Sequence, residues 1–203
     1  MTDRPRWFTE TKDGHSKWYV DRFRTMAAEG ADLAGEARLV DAAIAPGSRV
    51  LDAGCGPGRV GAELHARGHT VVGVDADPVL IAAAQEDHPG PRWLVADLST
   101  LALDDESIVE DLFDVAVVAG NVMVFVAPGT EQAVLGSLRA AVRPGGRIII
   151  GFATDREYAL EAFDADVEAA GLVIEQRFAT WDLVPFTADA DFAVTFLTVP
   201  EVV

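Results

Sequence analysis

From residue 48 onward the chain alternates short apolar runs with helix-length amphipathic segments. The runs at 49–53, 70–74, 92–96, 114–118 and 147–152 are almost continuously apolar. Strands of a parallel sheet that are buried on both faces read this way. Segments at 57–67, 78–86 and 130–142 have helical spacing, and a weaker one lies near 107–112. Thr154 and Glu157 stand three apart and fit a capping box, which predicts a helix from there to 170, stopped by Gly171. Strands at 173–178 and 192–199 follow. The stretch 179–191 between them has no helical pattern, so these two strands are expected to pair antiparallel. Before residue 48, segments 16–28 and 32–44 carry apolar residues at helical spacing, with Gly30 between them and Pro46-Gly47 after them. The pattern predicts one α/β domain over 1–203: a doubly wound, mostly parallel sheet over 48–203 and a helical cover over 1–47.

Composition narrows the partners. Of 203 residues half are hydrophobic, a globular proportion, and 16 Lys and Arg against 33 Asp and Glu leave a net charge of −17. Such a surface repels phosphate backbones, so no nucleic-acid partner is expected. The single cysteine, Cys55, excludes an intramolecular disulfide. Residues 1–6 lead into a polar stretch without an apolar signal core, and the most apolar run, 115–127, is broken by Gly120 and Asn121 and too short for a bilayer. The expectation is a cytoplasmic protein with no membrane partner, as monomer or homodimer. No zinc-ligand spacing is present and no metal is expected, nor is there a Gly-x-Ser-x-Gly elbow.

The most informative stretch is Val50-Leu51-Asp52-Ala53-Gly54-Cys55-Gly56-Pro57-Gly58-Arg59, a buried strand running through a glycine-rich turn into a helix. Glycines let a ligand approach the backbone, and the helix start adds free N–H donors. Two cofactor classes use such a crevice at the strands' carboxyl ends. Gly56-Pro57-Gly58-Arg59-Val60-Gly61 matches the Gly-x-Gly-x-x-Gly of dinucleotide sites, and Asp75 follows on the next strand. Asp52, however, would be repelled by a pyrophosphate. It would favour the amino group and sulfonium of S-adenosylmethionine.

The stretch 50–58 resembles motif I of the class I S-adenosylmethionine-dependent methyltransferases. Further motifs of that family appear in order: Val71-Val72-Gly73-Val74-Asp75, Val95-Ala96-Asp97-Leu98, Phe113 to Asn121, and Leu138 to Arg147. The resemblance covers roughly 48–152. It implies a Rossmann-like seven-stranded sheet of order 3-2-1-4-5-7-6 with the last strand antiparallel. It also implies S-adenosylmethionine as cofactor, S-adenosylhomocysteine as product, and an unidentified small-molecule acceptor. By the same resemblance Asp52, Ala53, Gly54, Cys55 and Gly56 hold the methionine end. Asp75 and Ala76 take the ribose, Asp97 and Leu98 the adenine amino group and ring nitrogen, and Ala119, Gly120 and Asn121 form the floor beneath the methyl.

Other residues have two readings each. Asp77 is expected to cap the helix beginning at Pro78. Cys55 has no base partner and reads as packing. Gly120-Asn121 stands where amino-modifying nucleic-acid methyltransferases carry an Asn/Asp-Pro-Pro-aromatic tetrapeptide and where aminopropyltransferases carry paired acids. Asn121 could orient an acceptor or simply turn the chain. In the leading helix Trp18 and Phe23 are expected to pack on the core, Tyr19 and Arg22 to reach the methionine carboxylate or the acceptor, and His15 is a candidate general base. Tyr19 and Asn121 are the other candidates for a catalytic role. Aromatics of loop 180–186 could line an acceptor pocket or seal the sheet's end, and the acids from Asp104 to Asp114 read as a solvated face. The remaining alternatives are a non-catalytic S-adenosylmethionine-binding protein and a nicotinamide-dependent oxidoreductase.

Overall fold

The structure, a computed structural model, describes residues 4–101 and 111–201. Among these, strands β1 (Arg49–Ala53), β2 (Thr70–Asp75), β3 (Arg92–Val95), β4 (Phe113–Val118), β5 (Val142–Ala153), β6 (Val173–Phe178) and β7 (Phe192–Thr198) form one sheet of order β3-β2-β1-β4-β5-β7-β6. The first five run parallel. β7 lies antiparallel between β5 and β6, because the link from β6 to β7 holds no crossover helix.

Along each central strand successive side chains feed opposite faces. Leu51, Val72, Ala116, Ile148 and Ile150 join one apolar layer, which is completed by Leu135 and Leu138 of helix α7 (Glu131–Ala141) and Phe163 of α8 (Leu160–Ala169). Val50, Val71, Val115, Val117 and Ile149 join the other layer. There they meet Ala37 and Val40 of α3 (Gly35–Ala43) and Val60 and Leu64 of α4 (Arg59–Ala66). Both faces being covered explains why these strands read as unbroken apolar runs. It also leaves the sheet only its end, at the strand carboxyl termini, for chemistry.

The remaining helices are α1 (Arg6–Thr9), α2 (His15–Ala28), α5 (Pro78–Asp87) and α6 (Val122–Phe125). The structure departs from the expectations at Thr154, at the start of β5 and at Trp18, and takes the second of the two readings of loop 180–186. Thr154 does not cap a helix: its hydroxyl donates to the Ala190 carbonyl and its N–H to the Asp191 carbonyl, both fastening the end of β5, and α8 starts only at Leu160. β5 begins at Val142 rather than 147, since Val142 already pairs with Phe113 ahead of a register shift. Trp18 does not pack on the core but stands 54% exposed, with Arg22 lying over its ring; α2 docks instead through Val20, against Leu80 and Ala83 of α5. Trp181, in the β6–β7 link, lies over Gly151, where a Cβ would come within 2.4 Å of the ring, so this loop seals the sheet. The helix expected near 107–112 and the acids at 104–110 fall mostly or wholly outside the described residues.

Candidate functional site

A cleft opens at the carboxyl ends of β1, β2 and β4, floored by the β1–α4 turn. That turn is tied down before any ligand enters. The N–H groups of Gly54 and Cys55 both donate to the Val74 carbonyl, and that of Gly56 donates to Asp75 Oδ2 at 2.9 Å. The glycines serve different contacts. A Cβ at Gly58 would stand 3.0 Å from Trp93, and one at Gly61 would stand 2.9 Å from Trp93 and 2.8 Å from Asp52 Oδ2. A Cβ at Gly56 or Gly120, by contrast, would meet only Tyr19, 3.8 Å from its ring or 3.9 Å from its hydroxyl, so a side chain at either would fill the cleft itself. Their φ angles of 54° and 72° favour glycine independently.

Asp52 lies beneath this turn, 1% exposed, and its Oδ2 accepts the Gly61 N–H at 2.8 Å. Gly61 is the third residue of α4, so the chain's own carboxylate already takes one of the donors a helix start would offer an anion. No other donor among the described residues reaches Asp52, which also borders the cleft. Burial pushes its carboxyl up to about 7, against the pull of the Gly61 hydrogen bond and Arg59.

Asp75 ends β2. Its Oδ1 accepts the Asp77 N–H at 2.9 Å, and loss of water raises it to about 6 despite the two backbone donors. A carboxylate has about four acceptor sites, so Asp75 retains capacity toward the cleft. Asp77 caps α5 through the Val79 N–H at 2.8 Å. Its other oxygen accepts from Trp7 Nε1 at 2.7 Å and from the Ser16 hydroxyl, pinning the leading segment to the β2–α5 turn. Asp97 Oδ1 accepts from the Ser99 N–H and hydroxyl and opens a 3-10 turn over Leu98–Thr100.

The opposite wall comes from that leading segment. Trp7 meets Tyr19 edge-to-face at 5.4 Å and Phe125 of α6 at 5.7 Å, and all three line the cleft with Phe23, Val122 and Val126. Arg59 lines it too, over the Phe23 ring at 5.4 Å and paired with Glu36. Residues 50–146 match the model of the methyltransferase domain family. The crystal structure of a TehB-like S-adenosylmethionine-dependent methyltransferase from Corynebacterium glutamicum is 42% identical; the match covers 92% of this chain and 99% of that one, with a TM-score of 0.85. The chain belongs to the S-adenosylmethionine-dependent methyltransferase family. Two curated relatives are more distant. A malonyl-[acyl-carrier protein] O-methyltransferase of Pectobacterium atrosepticum is 33% identical over 70% of this chain, and an arsenite methyltransferase of Halobacterium salinarum is 36% identical over 61% of it. The chain spans 50% of the first and 32% of the second.

With the methyltransferase family shown, the fate of each expected site residue is informative. Asp52, Gly54, Cys55, Gly56, Asp75, Ala76, Asp97, Leu98, Ala119, Gly120 and Tyr19 border one cleft. Ala53 does not; it is wholly buried inside β1. Arg22 does not line it either; its exposed guanidinium lies over the rings of Trp18 and Phe23. Asn121 turns away: it adopts φ 66° and accepts the Ala153 N–H at 2.7 Å, fastening β4 to β5. His15 stacks among Trp7, Trp18 and Tyr19 behind the cleft wall. Cys55 is buried, with its thiol pushed well up by loss of water, which leaves it a packing group. Trp7, Arg59, Phe125 and Val126 went unnoticed in the sequence; Trp7 and Phe125 sit in four-residue helices too short to show a period. No group of three or more His, Cys, Asp or Glu suited to a metal occurs among the described residues, and none of their helices is long and apolar enough to cross a membrane.

Proposed function

We propose that this chain, as one domain, binds S-adenosylmethionine in the cleft between the β1–α4 turn and the Trp7–Tyr19 wall and passes its methyl group to a small-molecule acceptor. The observation that carries the reading is Asp52. A dinucleotide needs the start of α4 for its pyrophosphate, and a buried carboxylate bonded to the Gly61 N–H excludes that anion by repulsion. The same carboxylate suits an ammonium and lies near enough to favour a sulfonium. When bound, S-adenosylmethionine supplies a methyl group already activated by a neutral thioether leaving group.

The protein's part is positioning. Asp75 accepts from the ribose hydroxyls, Asp97 from the adenine amino group, and Asp52 from the methionine amino group. Gly56 and Gly120 leave the space in which donor and acceptor meet, and Trp7, Tyr19 and Phe125 exclude water from it. Alignment of this kind supplies roughly 7–11 kcal/mol of barrier reduction, so no dedicated base is required. The relatives named for a malonyl-[acyl-carrier protein] and for arsenite support methyl transfer to an acceptor other than nucleic acid.

Calorimetric titration with S-adenosylmethionine tests the reading. Micromolar binding is expected, and Asp75→Asn should weaken it by about tenfold to a hundredfold, the worth of a charge-assisted hydrogen bond or two. Unchanged affinity in a folded Asp75→Asn variant would remove Asp75 from the site.

A further inference from the structure

We propose that the acceptor is an uncharged aromatic or apolar small molecule that attacks through a neutral nitrogen or sulfur lone pair, and that carboxylates and other anions are turned away. This rests on the cofactor reading above and adds the acceptor's chemical class to it.

The basis is the charge lining the cleft. Three carboxylates border it, Asp52, Asp75 and Asp97. Among the described residues Arg59 is the one basic side chain that does so, and it is committed: both terminal nitrogens lie on Glu36, at 2.6 and 2.5 Å, and one also donates to the Leu33 carbonyl. Arg6, behind the entrance, donates to the Val124 carbonyl and to Glu131. Arg22 is exposed on α2, its guanidinium spent over the Trp18 and Phe23 rings rather than lining the cleft. The segments outside the described residues, 1–3, 102–110 and 202–203, contain no lysine, arginine or histidine, so no basic side chain comes from them. Beside the bound cofactor, an acceptor anion would meet the cofactor's own carboxylate, three aspartates and one arginine already paired, inside a molecule of net charge −17.

The walls give the complementary half. The Tyr19 hydroxyl stands by Gly120, and Trp7, Phe125, Val122 and Val126 line the same cleft. Aromatic and aliphatic faces bury a flat apolar molecule, and the aromatic ones also favour a cation. A neutral nucleophile fits both halves. Its lone pair forms the new bond to the methyl carbon, and the electron pair of the broken sulfur–carbon bond stays on sulfur. The methylated acceptor then carries the positive charge, or sheds a proton to water if it holds one. Positive charge thus moves from donor to acceptor within a cleft that acidic and aromatic side chains border. An alcohol or phenol would need a base at this point. The aspartates are taken up by the cofactor on this reading, and burial holds the Tyr19 hydroxyl above its ordinary range, so it remains a neutral phenol.

The test is calorimetry on the full chain in two stages. S-adenosylhomocysteine is titrated first, and failure to bind overturns the cofactor reading itself. The resulting complex is then titrated with isoquinoline and, separately, with isoquinoline bearing a carboxylate on its carbocyclic ring. Isoquinoline should bind at least about tenfold more tightly, a difference of about 1.4 kcal/mol. A smaller ratio, tighter binding of the carboxylate, or no binding of isoquinoline overturns the proposal.

Discussion

Asp52 and Asp75 stand in the folded chain with carboxyls at about 7 and about 6, above the ordinary value of 3.8. The folded state therefore binds more protons than the unfolded state between roughly pH 4 and 7, and by linkage stability falls as pH rises through that window. Recognition of an ammonium and of ribose hydroxyls needs the ionised forms, so cofactor affinity should rise over the same range. Melting curves of the unliganded protein should drop from about pH 5 to about pH 8, and Asp52→Asn should flatten the drop; identical slopes would show that Asp52 does not titrate there. Glu36 does not blur the result, because Arg59 holds it below its usual range and it titrates at more acid pH. The strand-end acids were legible in the sequence because each follows a buried strand, and a doubly wound sheet gathers such ends along one edge. Asn121 and Arg22 misled for a related reason. Position along a strand or helix does not say which way a side chain turns, and the φ of 66° at Asn121 sends its amide to the Ala153 N–H.

Among elements, the tightest fit is β3 against β2 and the glycine turn. A Cβ on Gly73 would lie 2.2 Å from the Trp93 ring, so Gly73→Ala is expected to destabilise by about 1–3 kcal/mol, an overpacking cost. Adding Trp93→Leu should recover part of it, and chemical denaturation of the single and double variants measures the coupling. The Arg59–Glu36 pair joins α4 to α3 at half-buried positions. Arg59→Met should cost about 1–3 kcal/mol by stranding Glu36, with less lost when Glu36→Gln accompanies it. A double variant as unstable as the sum of the singles would show that the pair contributes nothing jointly. The strands were readable because burial on both faces leaves long apolar runs, while their order came only with the resemblance to the methyltransferase family. The supposed capping box at Thr154 failed because its pattern is local, whereas the Thr154 hydroxyl found a partner 36 residues away in Ala190. Helices α1 and α6, four residues each, are too short to show any period.

At the scale of the whole molecule, 33 acids against 16 bases concentrate negative charge on one small body. Self-repulsion of this kind is screened by salt, so the melting temperature should rise between about 0.05 and about 0.5 M sodium chloride; a fall would show that attractive ion pairs such as Arg24–Asp87 dominate. The leading segment has a different consequence. Trp7 is held by Asp77, and Arg6 by Val124 and Glu131, so one short stretch is fastened to both halves of the sheet's cover. Synthesis runs from the amino terminus at about 5–20 residues per second, so residues 6 and 7 wait roughly 6–25 s before position 131 has been made. Trp7 gains His15, Tyr19 and Asp77 early but lacks Phe125, and Arg6 lacks Val124 and Glu131, for most of that time. The wall of the cleft is thus translated well before the partners that complete it, and a nascent chain halted before residue 131 should still be open to proteolysis around residues 6–10.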